Sequence, residues 1–190
     1  PDQLGIEVIK EISLEELVPY IDWSPFFNTW GLHGKYPDIF DYKMTGKQAK
    51  ELFEDAQVML KKILKNKSLK AKAIFGLFPA NSVGDDIEIY ESEKRDKVKA
   101  TFLTLRQQLQ KREGEPNISI ADFVAPRDLN IDDYLGCFCV STGFGADELS
   151  KEYEDKIDDY NSIMVKALAD IFAEAYAEYL HKEIRTNKWG

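Results

Sequence analysis

The sequence predicts an α+β fold, with strands in the middle of the chain and helices towards both ends. From Gly46 to Lys65, apolar residues recur at spacings of three and four, which is typical of an amphipathic helix. The segment 158–185 lacks Gly and Pro and is rich in helix formers, so it predicts a second long helix. Strand-like segments lie between them at 71–78, 87–90 and 134–140. This irregular order favours α+β over a doubly wound fold, as a single domain spanning the whole chain.

Capping and turn residues predict the shorter elements. Ser13 precedes Leu-Glu-Glu, a pattern in which Ser13 caps a first helical turn and Glu16 reaches back as a capping box. Pro79 is expected to end the first middle strand, and the polar residues 81–86 predict a turn into the next one. Residues 98–105 predict a further strand.

An aromatic segment, residues 20–30, follows the first helix and contains one carboxylate, Asp22. Aromatic density of this kind predicts a core or the wall of a pocket. Asp22 lies between Ile21 and Trp23, where an ionised carboxylate needs partners. Two interpretations stay open: a helix cap or buried hydrogen bond to the backbone, or a carboxylate that holds the ammonium group of a ligand against aromatic walls.

Charge and cysteine content restrict the partners and the compartment. The net charge of −9 opposes binding to nucleic acid or to an anionic membrane, and no segment approaches a membrane span. Cys137 and Cys139 lie two apart on a predicted strand, so their Cα atoms are about 6.5–7 Å apart, at the limit of a relaxed disulfide. Free thiols and the lack of a secretory signal favour the cytoplasm.

The last helix carries a charged stripe at successive steps of four residues: Lys166, Asp170, Glu174, Glu178 and Lys182. In one interpretation the stripe is a solvated face whose ends form Lys–Asp and Glu–Lys pairs, each contributing about 0.2–0.5 kcal/mol. In the other, Asp170 and Glu174 face a cleft and receive cationic groups. Spacing alone favours the solvated face.

No metal site is predicted. The acidic run Asp85-Asp86 with Glu88 lacks the ordered spacing of a calcium loop, so it is interpreted as a turn with solvated acids. Cys137 and Cys139 match no common zinc spacing. No nucleotide-binding glycine motif or serine-hydrolase motif is present either.

Several runs together resemble the reactivation domain of cobalamin-dependent methionine synthases. They are Tyr20–Phe27 with Trp30 and Gly34–Pro37, then Gly76–Asn81, Gly84–Ile87, Leu105–Gln108, Ala121–Pro126 and Asp159–Asp170, in the family's order. The likeness covers almost the whole chain, which makes it far more specific than any one short motif.

The resemblance implies a twisted antiparallel sheet and a shallow groove that binds S-adenosylmethionine. It implies a part in a homocysteine methyltransferase of methionine biosynthesis, where the domain supports reductive methylation of cob(II)alamin to methylcobalamin. The cobalamin is carried by a separate domain of the same enzyme, and an electron comes from flavodoxin or a flavoprotein reductase. The isolated chain is not expected to be active alone, and no catalytic residue is assigned.

By the same resemblance, Asp22 and Glu174 are the acids expected at S-adenosylmethionine. Asp170 matches the acid expected where the cobalamin domain docks. The family continues past the position of Gly190 with an Arg-x-x-Pro-Gly-Tyr segment that also contacts the ligand, so this chain is expected to hold only part of the groove, truncated at its C-terminal end. The alternative is a docking module for the cobalamin domain and flavodoxin that binds no ligand itself.

Overall fold

The computed structural model describes residues 1–189 and has an α+β architecture. Its strands are β1 (Gly5–Ile12), β2 (Lys70–Val83), β3 (Asp86–Tyr90), β4 (Val98–Phe102) and β5 (Asp133–Phe144). Its α-helices are α1 (Leu14–Leu17), α2 (Ser24–Thr29), α3 (Gly46–Asn66), α4 (Ala146–Glu154) and α5 (Asp159–Glu183). The predicted fold class and both long helices are confirmed, because helices flank a central run of strands.

The strands form one five-stranded sheet in the order β1-β2-β3-β4, with β5 also paired to β2. Strands β2 and β3 are antiparallel, with Ala80 opposite Ile89, and β3 and β4 are antiparallel, with Ile87 opposite Phe102. The β2–β3 connection contains Gly84 at a φ of +63°, a left-handed conformation that glycine adopts without strain. These pairings confirm the predicted antiparallel sheet.

Contacts divide the chain into two compact units whose boundaries fall within β1, β2 and β5. The first unit contains residues 1–7, 75–138 and 188–189. The second contains residues 8–74 and 139–187. The interpretation of the chain as one domain stays a prediction.

The core of the first unit is small and packs strands β2 and β3 against the segment 121–124. Its buried side chains are Ala80, Ile87, Ile89, Ala121 and Val124, with Phe78 and Leu135 packed against them. Leu77 lies close to Gly136, where a Cβ atom would come within 3.1 Å of the leucine side chain. The glycine in β5 thus permits a close approach of Leu77.

Strand β2 continues through Pro79 to Val83, so the predicted strand end is wrong, and the turn predicted at 81–86 is confined to Gly84 and Asp85. Proline has no backbone N–H to donate to a neighbouring strand. The strand can continue through Pro79 because its pairing with β3 begins only at the next residue, Ala80. Asn81 and Ser82 are buried, yet their polar groups are satisfied: Asn81 donates to the carbonyls of Ala125 and Ile131, and Ser82 donates to that of Val124. These partners lie more than 40 residues away, which local sequence cannot reveal.

An arginine joins three chain segments of the first unit. Arg106 donates to Asp85 at 2.6 Å and to both carboxylate oxygens of Asp122 at 2.7 and 2.8 Å. Asp122 also accepts the backbone N–H of Ser119 at 2.9 Å, which completes a capping box at the 3-10 helix Ile120–Phe123. Asp85 in the β2–β3 turn is therefore an ion-pair partner of Arg106. This corrects the prediction that Asp85 is only a solvated acid.

The Arg106 network predicts an acid-dependent loss of stability. The hydrogen bonds from Arg106 have the largest effect and that from the Ser119 N–H the next largest, and together they lower the pKa of Asp122 from 3.8 to about 2. Because this folded-state pKa lies below the unfolded value, the stabilisation is complete above the unfolded pKa and is lost as the pH falls towards the folded one. We expect a carboxyl-carbon NMR titration to place the Asp122 midpoint near pH 2.

The matched variants for this titration are Arg106→Gln and Arg112→Gln. Arg106→Gln should move the Asp122 midpoint up towards 3.8, whereas Arg112→Gln, an exposed loop arginine, should leave it unchanged. A wild-type midpoint already near 3.8 would show that the network does not hold Asp122 ionised.

The second unit is built around α3, α5 and an aromatic cluster. The side chains of Phe26, Phe27, Phe172 and Tyr176 are fully buried. Trp23 stacks edge-to-face with Phe53 of α3 at a centroid distance of 4.8 Å. The interpretation of the aromatic segment as core is confirmed for its buried members, and the exposed acid within it is described below.

Two local predictions near the amino terminus need correction. Helix α1 starts after Ser13 as expected, but no side chain caps it: Ser13 donates to Glu15, and Glu16 N–H bonds the Ser13 carbonyl. Strand β1 was not predicted. Its apolar side chains Ile6 and Val8 are more than half exposed, whereas Glu7 between them is partly buried, which is the reverse of the alternation expected of a half-buried strand. No helix within residues 1–189 has both the length and the apolar character to cross a membrane.

Candidate functional site

The first predicted site residue, Asp22, lies in the short connection that leads into α2. Its side chain is exposed, and Oδ1 accepts the backbone N–H of Ser24 at 2.8 Å. Asp22 is therefore not buried, although its neighbour Trp23 is. Its bond to a backbone N–H is of the kind that the first interpretation expects, but the N-cap residue of α2 is Trp23 and not Asp22. The other carboxylate oxygen is open to solvent or a ligand, and a ligand contact stays a prediction.

The chain around Asp22 runs alongside α5. Tyr20, two residues before it, packs edge-to-face on Tyr179 with ring centroids 5.5 Å apart. Trp30, at the end of α2, packs on Tyr160 with centroids 5.0 Å apart. The segment therefore passes from the last third of α5 to its first turn, and Asp22 lies closer to the Tyr179 end.

The second predicted residue, Glu174, lies on the same stretch of α5 and is exposed. At about 100° per residue, it lies about 40° around the helix axis from Tyr160, which contacts the passing segment. Along the axis it is about 7–8 Å from Tyr179, the residue beside Tyr20. Glu174 is, however, about 140° around the axis from Tyr179 and about 21 Å along the axis from Tyr160, so these contacts do not place the two acids side by side. Asp22 and Glu174 lie in the same unit, and their shared role stays a prediction.

The third predicted residue, Asp170, is also exposed and lies one helical turn before Glu174. It is about 40° further around the axis than Glu174, away from Tyr160. This position leaves Asp170 available on the surface for a protein contact, as predicted, but nothing in its surroundings defines a partner.

The lysines of the charged stripe do not neutralise its acids. Lys166 binds Glu154 at 2.9 Å, and Lys182 donates to the hydroxyl of Tyr20 at 3.1 Å. Among the ion pairs formed within residues 1–189, none involves Asp170, Glu174 or Glu178. The predicted Lys–Asp and Glu–Lys pairs of a solvated face are therefore absent from this part of the chain, and the acids face solvent as net negative charge.

Two cavities of the second unit are not lined by Asp22 or Glu174. One, of about 210 Å³, has Leu14, Ile63 and Leu69 among its lining residues, and another, of about 360 Å³, is lined by Trp30 and Tyr160 among others. Neither has Asp22 or Glu174 in its lining. A ligand held by those two acids would occupy a shallow, solvent-facing groove.

The Trp30–Tyr160 cavity was missed from the sequence. Its acids, Glu51 and Asp55, are spaced i and i+4 on the polar face of α3, where they are indistinguishable from solvated charges. The hydroxyl of Tyr160 donates a hydrogen bond to Asp55 at 2.8 Å. Burial, and then this hydrogen bond, raise the pKa of Tyr160 to about 12. Only the fold brings these side chains together.

The two cysteines are unpaired and lie outside the candidate site. Cys137 and Cys139 are free, and burial raises the pKa of the Cys137 thiol. A raised pKa lowers the thiolate fraction and hence reactivity. Within residues 1–189, no group of three or more His, Cys, Asp or Glu side chains is arranged to hold a metal ion.

Comparison with known proteins finds similarity along nearly the whole chain. The family model for the vitamin B12 dependent methionine synthase activation domain matches residues 13–190. Among solved structures, the MetH reactivation domain bound to AdoHcy shares 50% sequence identity, with a TM-score of 0.91. The match covers 99% of this chain and 57% of that one, so the chain spans little more than half the relative's length.

Proposed function

The chain belongs to the family of vitamin B12 dependent methionine synthase activation domains, and on this basis we propose that it binds S-adenosylmethionine. In this role it supports the reductive methylation of cobalamin within a methionine synthase. The related reactivation domain is bound to AdoHcy, which is S-adenosylmethionine without its transferable methyl group. Half of the residues in the aligned part are identical, which supports a common ligand class.

The exposed acids of the second unit carry this proposal. Asp22 and Glu174 are exposed in the same unit, and Glu174 has no ion-pair partner within residues 1–189. S-adenosylmethionine bears an ammonium and a sulfonium group, and carboxylates form charge-assisted hydrogen bonds with the former. The residues therefore fit a cationic ligand in a shallow groove. When bound, S-adenosylmethionine supplies the methyl group.

The acids are better placed at the ammonium or the ribose than at the sulfur. Methyl transfer removes the positive charge from sulfur, so a carboxylate held there would stabilise the ground state more than the transition state. Asp22 and Glu174 therefore act in binding and orientation, and they leave the sulfur to weaker contacts.

Replacement of Asp22 by asparagine should weaken S-adenosylmethionine binding. The change keeps the side-chain shape and the acceptor for Ser24 N–H but removes the charge. Loss of one exposed charge-assisted bond corresponds to about a tenfold increase in Kd, measured by isothermal titration calorimetry. Glu174→Gln should behave alike.

Glu152→Gln is the matched control for charge, since Glu152 is exposed on α4 and the change removes one negative charge. It should leave the Kd within about twofold. Unchanged affinity in both Asp22→Asn and Glu174→Gln would refute the assignment of these acids to the binding site. Equal losses of affinity in all three variants would show that the effect comes from the net charge of the protein and not from these two positions.

The partners follow from the same proposal. The cobalamin-binding domain of the same enzyme docks near Asp170, which is exposed on α5. Flavodoxin or a flavoprotein reductase supplies the electron that cobalamin reduction needs. The working compartment is the cytoplasm, and the chain acts as part of a homocysteine methyltransferase, not as an independent enzyme.

A docking module without ligand binding is the second candidate function. The first unit exposes several large apolar side chains, among them Leu103, Leu105 and Phe123, each more than 70% exposed. Exposed apolar side chains in one segment are typical of protein–protein contact. Calorimetry with this chain separates the two functions: saturable S-adenosylmethionine binding supports the first, and its absence together with retained binding to the cobalamin domain supports the second.

A further inference from the structure

The second unit contains a cavity of about 360 Å³ that the proposed function does not use. It lies where three segments meet: the turn that follows α2, one face of α3, and the first turn of α5. From α3 it takes Glu51, Leu52 and Asp55, which are spaced i, i+1 and i+4 and so share one side of the helix. Its position is defined within a single compact unit.

The walls of the cavity are aromatic and its base is apolar. Trp30 and Tyr160 line it as a tilted pair, with ring centroids 5.0 Å apart and an interplanar angle of 56°. Leu32 and Leu52 also line it and are only 5% and 6% exposed. Aromatic faces attract cations through their quadrupole, and most strongly where water is excluded.

The rim of the cavity is acidic. Asp55 is held in place by the hydroxyl of Tyr160, which donates to Oδ2 at 2.8 Å. Glu51 has only a 3.7 Å contact with Lys47, and both side chains are largely exposed, so this pair neutralises little. The cavity thus combines two carboxylates with aromatic walls.

The indole ring of Trp30, and not its N–H, is the part of this residue that a ligand can contact. Trp30 lines the cavity and is only partly buried. Its Nε1 atom is enclosed by protein, without a hydrogen-bond partner in the part of the chain that the structure describes. The ring face is therefore the feature of Trp30 that bears on the ligand.

We propose that this cavity binds a small organic ammonium ion. The ammonium lies between the aromatic faces on one side and the carboxylates of Asp55 and Glu51 on the other. A bare metal ion fits less well, because hard cations require about six oxygen ligands, whereas this cavity is walled by rings and leucines. The site is independent of Asp22 and Glu174, which do not line it.

The test uses choline and its uncharged carbon analogue as probes of the full chain. Choline should shift the Trp30 indole N–H resonance saturably in nitrogen–proton NMR spectra. The uncharged analogue should bind at least about tenfold more weakly, because it has the same shape without the cation. Equal binding of the two would overturn the proposal, since the cavity would then be merely apolar. The absence of a saturable shift with choline would also overturn it.

Two variants on α3 isolate the charge. Asp55→Asn should weaken choline binding about tenfold, while Glu54→Gln, an exposed acid next to it that does not line the cavity, should leave the affinity within about twofold. Glu51→Gln is the second cavity variant, in case Asp55→Asn disturbs the bond to Tyr160. Similar losses in the cavity variants and in Glu54→Gln would reduce the effect to net charge and overturn the proposal.

The same variants keep this site distinct from the S-adenosylmethionine site. Asp55→Asn should retain S-adenosylmethionine binding, and Asp22→Asn should retain choline binding. If Asp22→Asn abolished both, the cavity would be part of the groove and not a separate site. If the wild-type chain bound choline but not S-adenosylmethionine, the proposed function would be refuted and the proposal of a cation site would be supported.

Discussion

Replacement of Phe27 by alanine should lower the free energy of unfolding by about 3–5 kcal/mol. The ring is 0% exposed and lies at the centre of the aromatic cluster, with Phe26, Phe40 and Phe53 at centroid distances of 5.6, 5.8 and 6.4 Å. Its removal loses buried apolar surface and leaves a cavity that rigid neighbouring rings fill only in part. Urea unfolding followed by far-ultraviolet circular dichroism gives the change directly.

Met44→Ala is the control for the Phe27 experiment. Met44 lies in the same unit but is 96% exposed, so its truncation should change the free energy of unfolding by less than about 0.5 kcal/mol. A Phe27→Ala loss below about 1 kcal/mol would mean that the cluster collapses freely around the gap, contrary to the close packing described above.

Replacement of Gly145 by alanine should lower the free energy of unfolding by about 2–5 kcal/mol, the second largest effect expected. Gly145 precedes α4 with a φ of +94°, a conformation that strains other residues by about 1–2 kcal/mol. In addition, a Cβ atom there would lie 2.2 Å from the carbonyl oxygen of Ser68. Because the obstacle is backbone, relief requires movement of the chain between α3 and β2, which adds about 1–3 kcal/mol.

Gly31→Ala separates conformational strain from the clash. Gly31 lies in the same unit with a φ of +71°, but a Cβ atom there would have no neighbour within 4 Å. This variant should therefore cost only the strain, about 1–2 kcal/mol, in the same urea experiment. Equal losses in Gly145→Ala and Gly31→Ala would show that the approach of Ser68 carries no energetic weight.

The long helices could be predicted because their signal is local. Apolar residues recur along α3 at helical spacing, and the absence of Gly and Pro along α5 leaves few alternatives to a helix. The end of β2 was misplaced because Asn81 and Ser82 are typical turn residues. Their hydrogen bonds to Ala125 and Val124, more than 40 residues away, allow them to remain in a buried strand.

The candidate site shows the same limit. Resemblance suggested Asp22 and Glu174, but the residues alone could not decide between solvated acids and ligand contacts. What favours the latter is that Lys166 binds Glu154 and Lys182 binds Tyr20, so neither lysine neutralises the acids of the stripe. Such a choice of partners depends on how α5 packs, and spacing along a helix does not determine it.

Asp122 accepts hydrogen bonds from the guanidinium of Arg106 and also caps the 3-10 helix Ile120–Phe123 through the N–H of Ser119. The side chains of Arg106, Asp85 and Asp122 therefore hold the scaffold together, in three of the runs that carry the resemblance to the family. If Asp22 and Glu174 bind the methyl donor as proposed, a distant protein that keeps those runs but lacks the two acids would retain the architecture and lose the binding. Judging such a protein requires inspection of those two positions, however strong the match elsewhere.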